Sequence, residues 1–500
     1  MSEGITEREQ PGIPPLTFNT KFAYGVGQVA EGLKNSCLSM FVLFYYNQVL
    51  GLSATLAGLA LFIALLFDAF TDPLAGSISD NWRSSMGRRH PFMYASALPL
   101  AITFFLLFAP PDGLGEWGLF LWMTAFVVLT RASMTLYHVP HIALGAELSE
   151  DYEERTRIVS IRYFMSFAGY LLAYYWGFGW LFADSPEYPD GQFNLDAYAP
   201  FALLVSVTMF ITIIWSGIGT HKRIPYLPTI EGERDRLSAI AVIWRTLSET
   251  KAALQNRSFA WMFGGVLLIF VMVGTDSALN LYMFEFFWEL SSGEKLMLML
   301  LYTAGIMLGT IFTPFLHRLV DKRHGISFGI IGWSTCQILP VFLRFYGWFP
   351  ENGSDSLAIT LTAIKFVQGI CAAQSLVSFH SILADVADEH ELVTGKRQEG
   401  IFFAAASFAT KTTTGLGSFM AGVGLDLIDW PQGDQIQSAA DVPVVTLANL
   451  GMMYGPIVAG FAVFSVLLIV QCKMTRAQHV AVSERLAERR SERHLKAAEL

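Results

Sequence analysis

Two carboxylates inside an apolar run carry the strongest chemical signal in this sequence. The stretch Phe67-Asp-Ala-Phe-Thr-Asp-Pro-Leu-Ala-Gly-Ser-Ile-Ser-Asp80 starts in the middle of a hydrophobic segment and sets Asp68 and Asp72 at spacing i, i+4. On a helix that spacing stacks both side chains on one face. An ionised carboxylate deep in a bilayer is costly and marks a functional position by default. Like charges one turn apart also repel, so one takes up a proton unless a cation lies between them. Hard monovalent ions favour oxygen ligands. The pair therefore points to a monovalent-cation site, and the competing reading is a structural ion pair with Lys or Arg on another helix.

Further polar residues interrupt the other apolar runs. Glu31 and Lys34 sit one turn apart and read as a local pair. Arg131, Thr135 and His138 follow at i, i+4 and i+7, so they share one helical stripe, with Pro140 and His141 just beyond. Arg162 opens a later run. Asp276 and Glu285 fall toward the outer end of another, as does Lys365 in its own segment. Lys411 is central, flanked by Thr410, Thr412, Thr413 and Thr414. Each would be expensive against lipid and must face a cavity or another polar group. Arg131 and Lys411 are the expected cationic partners of Asp68 and Asp72. His138 shares its stripe with Thr135 and is a candidate substrate contact, whereas His141 and His380 read as satisfied structural histidines.

The elements that must position these groups are membrane helices. The chain has 500 residues, 53% hydrophobic and only 15% charged, far from the balance of soluble domains. Apolar runs of about 20 residues recur along it. Twelve spans are expected, at 20–47, 54–80, 91–110, 116–147, 157–183, 199–219, 258–289, 294–320, 326–348, 356–388, 397–427 and 444–473. Loops after the even-numbered spans hold Arg83, Arg88, Arg89, Arg155, Arg157, Lys222, Arg223, Lys322, Arg323, Lys396 and Arg397. The other loops are nearly free of Lys and Arg, Lys295 being the main exception. The positive-inside rule then puts both termini in the cytoplasm of a protein integral to the inner or plasma membrane.

The expected organisation is a cytoplasmic segment 1–19, a six-helix bundle 20–219, a cytoplasmic linker 220–257, a second six-helix bundle 258–473 and a charged cytoplasmic tail 474–500. The linker mixes Arg234, Arg236, Arg245 and Lys251 with Leu237, Ile240, Ile243, Trp244 and Leu247, the pattern of an amphipathic helix on the membrane face. The first residues lack a signal-peptide core. Cys37, Cys336, Cys371 and Cys472 are scattered through apolar runs and read as packing residues. A weak internal echo links the halves: Gly76-x-x-x-Asp80 with Gly87-Arg-Arg after the second span, and Asp321-Lys-Arg-x-Gly325 after the eighth. Gly76 is expected to permit close packing. Asp80, Arg88 and Arg89 are expected to form a gating charge network, with Asp385, Asp388, Lys396 and Arg397 as its counterpart.

Together these motifs resemble the glycoside–pentoside–hexuronide:cation symporter family, the melibiose-carrier-like branch of the major facilitator superfamily. The resemblance rests on Asp68-x-x-x-Asp72-Pro73, Gly87-Arg-Arg-His-Pro91, Val139-Pro140 with Gly145-Ala-Glu147, Tyr152-Glu-Glu-Arg155-Thr-Arg157, and Gly395-Lys-Arg-x-Glu-Gly400 leading to Lys411. It implies an all-α membrane protein of two six-helix bundles, alternating access, and a cation site at Asp68, Asp72 and Thr135 balanced by Lys411. Arg162 matches the arginine that lines the sugar pocket. Two acidic sugar-binding positions fall instead on Gly32, beside Glu31, and on His138. This departure puts a simple galactoside in doubt and makes Glu31, His138 and Arg131 the candidate substrate contacts beside Arg162.

The expected activity is sodium-driven symport of a glycoside, uronide or related sugar. A lysophospholipid or other amphipathic anion is the alternative cargo, and a non-transporting membrane sensor the alternative class. No zinc spacing, nucleophile elbow, phosphate loop or cofactor fingerprint is present, so no enzyme, no cofactor beyond the coupling ion (sodium, lithium or proton) and no nucleic-acid partner is expected. The expected partners are a small-molecule substrate, a monovalent cation and the bilayer, with the protein a monomer.

Overall fold

The computed structural model describes residues 15–149, 151–227, 254–394, 399–433 and 438–472, together with residue 436 and scattered positions within 241–251 and 478–489. The amphipathic reading of the linker falls largely outside the described residues, as do Lys396, Arg397 and much of both chain ends. The described chain is helical throughout. The first rod, α1, is built from Phe18–Val26, Gln28–Met40 and Val42–Phe44, and closes in a π-helical turn, Tyr45–Val49. It is followed by α2 (Ala54–Asp80), α3 (His90–Leu107), α4 (Glu116–Glu147), α5 (Tyr152–Trp176) and α6 (Leu195–His221). The second half of the chain holds α7 (Arg257–Tyr282), α8 (Ser292–Leu319), α9 (Lys322–Phe345), α10 (Asp355–Thr394) and α11 (Glu399–Leu427). Last comes α12, Val444–Met452 and Val458–Ile469 joined through a π-helical turn.

Nine of these helices, among the described residues, are long and apolar enough to cross a membrane. The nine do not include α1, α5 or α11, which carry Glu31 and Lys34, Arg162, and Lys411 respectively. Local signals set the ends. Ser53, Asp151 and Asn256 accept from backbone N–H groups at the starts of α2, α5 and α7, and Ser291 with Glu294 forms a capping box on α8. Gly87 turns the chain between α2 and α3 at φ 73°, in the left-handed region that glycine enters without strain.

Helices α1 to α6 pack on one another, α1 against α5 and α6, α2 against α4, and α3 against α4 and α6. Helices α7 to α12 do the same, α7 against α11 and α12, α8 against α10, and α9 against α10 and α12. The halves meet along α2 and α11. A side chain at Gly58 would approach the Ser418 carbonyl to 2.8 Å, and one at Gly422 would strike the Ala54 carbonyl. Gly76, by contrast, has room for a Cβ, whose first neighbour would be Val139 at 3.6 Å. The expectation that Gly76 serves close packing is therefore corrected: ordinary van der Waals contact is all it makes.

The two ends of the molecule differ. At the end remote from the chain termini, Phe44, Tyr282, Phe286 and Trp430 interlock across the halves. Asp426 accepts from Ser53 Oγ at 2.8 Å and from the Thr55 N–H at 2.9 Å, so a carboxylate of one half sits on the N-terminus of a helix of the other. At the terminal end, the pairs Arg89–Asp80 (2.6 Å), Arg89–Glu147 (2.7 Å), Lys21–Glu154 (3.0 Å) and Lys322–Asp385 (2.7 Å) each stay within one half. Among the described residues α4 and α10 do not pack closely on each other, and the cavity between the halves takes Ile142, Phe379 and Ser407 into its lining, from the parts of α4, α10 and α11 nearer that end.

Candidate functional site

The cavity has a volume of about 820 Å³ and reaches mid-depth, a size suited to a small organic solute. Its first-half wall is built on α1, α2 and α4. Asp68 and Asp72 face the same way, as their one-turn spacing requires, and are bridged twice. Thr135 Oγ1 lies 2.8 Å from Asp68 Oδ1 and 2.9 Å from Asp72 Oδ1. Lys411, reaching across from α11, places Nζ 3.0 Å from Asp68 Oδ2 and pairs with Asp72 as well. Arg131 adds a contact of 3.3 Å to Asp68 Oδ2. Pro73 in α2 and Pro140 in α4 each remove one intrahelical hydrogen bond beside this cluster.

The cluster thus gathers all four residues singled out for a cation site and its balancing charge, together with Arg131. The Arg131 guanidinium is committed to Asp68, the counter-ion role that the sequence left open. Glu31 and His138 also line the cavity. Glu31 Oε1 accepts from Asn35 at 2.8 Å and from Lys34 at 3.3 Å, which bears out the local pairing of Lys34. Glu31 Oε2 is buried, in ion contact with Lys34 Nζ at 3.3 Å and with His138 Nδ1 3.8 Å away. Gln28 holds that His138 nitrogen at 3.0 Å. Gly32 faces elsewhere: a side chain there would strike the Ser166 carbonyl of α5. The carboxylate available in α1 is therefore Glu31.

Arg162 is not part of the cavity lining. It sits beside Tyr24, with its guanidinium 5.0 Å from the centre of the Tyr163 ring. His141 is buried, holds the Tyr24 carbonyl at 2.9 Å and stacks on the Tyr24 ring at 4.2 Å, as a structural histidine would. His380 is exposed and bonds the Leu376 carbonyl of its own helix. Asp80, Arg88 and Arg89 come together at the terminal end of α2, where Glu147 of α4 accepts from both arginines. Lys322, Asp385 and His479 form a similar group in the second half.

The second-half wall was not anticipated. Asp276, placed toward the outer end by its sequence position, in fact lines the cavity. Gln337 donates to it at 2.7 Å and Asn280 at 3.2 Å. Lys365 bonds Asn280 Oδ1 at 3.4 Å and the Tyr454 hydroxyl at 3.2 Å. Intramembrane charges at Asp276 and Lys365 were visible in the sequence. The neutral partners Gln337, Asn280 and Tyr454 carried no signal of their own. No group of three or more His, Cys, Asp or Glu side chains suited to a multivalent metal occurs among the described residues.

The family model for MFS/sugar transport proteins matches residues 23–476. An uncharacterized symporter of Synechocystis sp. is 25% identical, over 96% of this chain and 98% of its own length. The isoprimeverose transporter of Lactiplantibacillus pentosus is 22% identical over 91% of this chain and 88% of its own. Among solved structures, the inward-open xylose transporter of E. coli superposes with a TM-score of 0.58 at 14% identity, covering 92% of this chain and 96% of that one. At that identity the likeness concerns the fold.

Proposed function

The chain belongs to the MFS/sugar transport protein family, a transporter rather than an enzyme, and from that membership we propose that it is a cation-coupled symporter for a glycoside, uronide or related sugar. In this reading twelve spans form two six-helix bundles in the inner or plasma membrane. Both termini lie in the cytoplasm, so the open end of the cavity faces inward. The bundles rock about the mid-depth site to give alternating access.

The observation that carries the proposal is the double bridge over Asp68 and Asp72. Thr135 has one hydroxyl proton and two carboxylate oxygens within reach, so one of the two contacts lacks a hydrogen. A sodium ion among Asp68, Asp72 and Thr135 would convert it into coordination, with lithium or a proton as the alternative. The Lys411 ammonium, already on both carboxylates, holds that charge in place when no ion is bound. Ion entry then displaces Lys411 toward the cavity, which links ion occupancy to the sugar site. Glu31 Oε2 accepts a sugar hydroxyl there, His138 adds a polar contact, and Arg131 orients Asp68 at the edge of the substrate space. Arg162 makes no contact with the cavity in this state. A ligand drives such a transition only through its different affinity for the two states.

The test follows the melting temperature of the purified protein against sodium and lithium, with choline holding ionic strength constant. A saturable rise is expected, worth about 2.7 kcal/mol at a hundredfold excess over Kd. Asp68→Asn and Asp72→Asn should each abolish it. Dependence on pH through the same two residues, without an alkali-ion effect, would mean proton coupling. Indifference to both ions and to both substitutions would return the pair to a structural role.

A further inference from the structure

We infer that Lys365 is a specificity-determining residue that binds the acidic group of a monoanionic sugar, so that this symporter takes a sugar acid in preference to its neutral counterpart. The inference rests on the symport reading above and narrows its substrate class.

Three of the four fixed cations lining the cavity are in contact with carboxylates. Lys34 pairs with Glu31, Arg131 with Asp68, and Lys411 with both Asp68 and Asp72. Lys365 differs. It is 9% exposed and lines the cavity, yet among the described residues no carboxylate lies within ion-pair distance of it. Its two hydrogen-bond partners, Asn280 Oδ1 and the Tyr454 hydroxyl, are neutral. An ammonium has three protons to donate, so one remains for a ligand. Asp276 is its nearest carboxylate neighbour electrostatically, but no direct ion pair forms: each Asp276 oxygen accepts from Gln337 or Asn280, and Asn280 bridges the two charges. A buried cation that meets only neutral acceptors gains most from an oxyanion, because charge-assisted hydrogen bonds are about twice as strong as neutral ones.

The surroundings fit a sugar acid. The ring centres of Phe284, Tyr302 and Tyr454 lie 5.5 to 5.9 Å from the Lys365 ammonium, and Tyr302 and Trp333 add aromatic surface to the cavity lining, the kind of wall a pyranose packs on. On the α1 side of the cavity, Glu31 holds Lys34 through an ion contact of 3.3 Å at Oε2, and as a carboxylate it accepts from hydroxyls and repels an acid, which sets the polarity of the ligand. Charge count agrees. The lining holds four carboxylates (Glu31, Asp68, Asp72, Asp276) and the four cations named above. One coupling cation leaves the loaded cavity at +1, and one monoanion returns it to neutrality before it moves through the bilayer interior, where net charge is costly.

The test uses the purified full-length protein in sodium, with matched pairs: glucuronate against glucose, galacturonate against galactose, and the methyl glycosides of each. Affinity is read from melting-temperature titrations. At least one uronate is expected to bind about tenfold or more tighter than its neutral partner, the scale of one charge-assisted hydrogen bond. Lys365→Met keeps the apolar stem and should erase that advantage while leaving the sodium shift intact; Lys365→Arg should restore part of it. Equal affinity within every pair overturns the inference, as does Lys365→Met weakening both members alike, which marks a structural role. Binding of neither class, with the sodium shift present, also overturns it. Loss of the sodium shift in the unaltered protein is instead a failure of the symport reading. Should Lys365→Met fail to fold, the matched pairs and the Arg variant still decide.

Discussion

A hydroxyl has one proton to give, and at Thr135 two carboxylate oxygens stand ready to accept it. That imbalance makes Thr135 more informative than the aspartates, whose removal disturbs Lys411 as well. Thr135→Val keeps the shape and deletes the oxygen. It is expected to raise the sodium concentration for half-maximal thermal stabilisation about fivefold, the ~1 kcal/mol of one hydrogen-bonding oxygen. Thr135→Ser should stay near the unaltered value. An unchanged midpoint in the Val variant would remove Thr135 from the ion site. Helical spacing aligns Asp68 with Asp72 and Arg131 with Thr135 and His138, while the assignment of Thr135 to the aspartates' site came from the family resemblance. The second-half wall was not legible. Distance from a helix end is a poor guide to depth when α7 runs on into a π-helical turn and α10 extends over forty residues. Amides such as Gln337 and Asn280 declare a role only once they are seen on a carboxylate.

At the level of elements, α2 carries both aspartates, and its end remote from the chain termini is fixed by the other half of the chain. Asp426 of α11 accepts from Ser53 and Thr55 there, adding charge complementarity to a helix N-terminus that Ser53 already caps. Asp426→Ala should cost about 1 kcal/mol or more of the closed arrangement. Hydrogen exchange at residues 53–57 should rise, while exchange near Asp68 stays slow. Asp426→Asn should retain much of the protection. Equal exchange in all three proteins would reduce the contact to a surface hydrogen bond. The helices themselves were readable from apolar run length, with α4 falling at 116–147 as expected. The π-helical turns that close α1 and α7, Tyr45–Val49 and Met283–Phe287, were not. They occur at matching places in the two halves and end the helices in aromatic packing. No local sequence rule announces a π turn, since its wider hydrogen bonds are sustained by tertiary contacts.

For the whole molecule, the alternating access proposed above requires that the end remote from the chain termini come apart, which identifies the contacts that would have to break. Lys295 and Glu285, from α8 and the end of α7, form an ion pair with almost no exposure, joined by Gln192 and Asp190 from the first half. Ser292 binds the Asp184 carboxylate and the Phe182 carbonyl across the same interface. Lys295 was the exception to the loop-charge pattern, and burial in this junction accounts for it. Removing one member of a buried pair strands the other, at a cost of about 3–5 kcal/mol, whereas replacing both is far milder. The cost falls on the closed end, because opening would hydrate Glu285. Lys295→Met should therefore shift the population toward opening at that end, seen as faster hydrogen exchange in residues 182–193 and 285–295. Adding Glu285→Gln to it should bring exchange back toward the unaltered protein. If the single variant instead loosens the whole chain uniformly, the junction holds the fold together and does not govern which face is open. If neither variant changes exchange in those segments, the closing force lies in the aromatic contacts of Phe44, Tyr282, Phe286 and Trp430, and the charges are along for the ride.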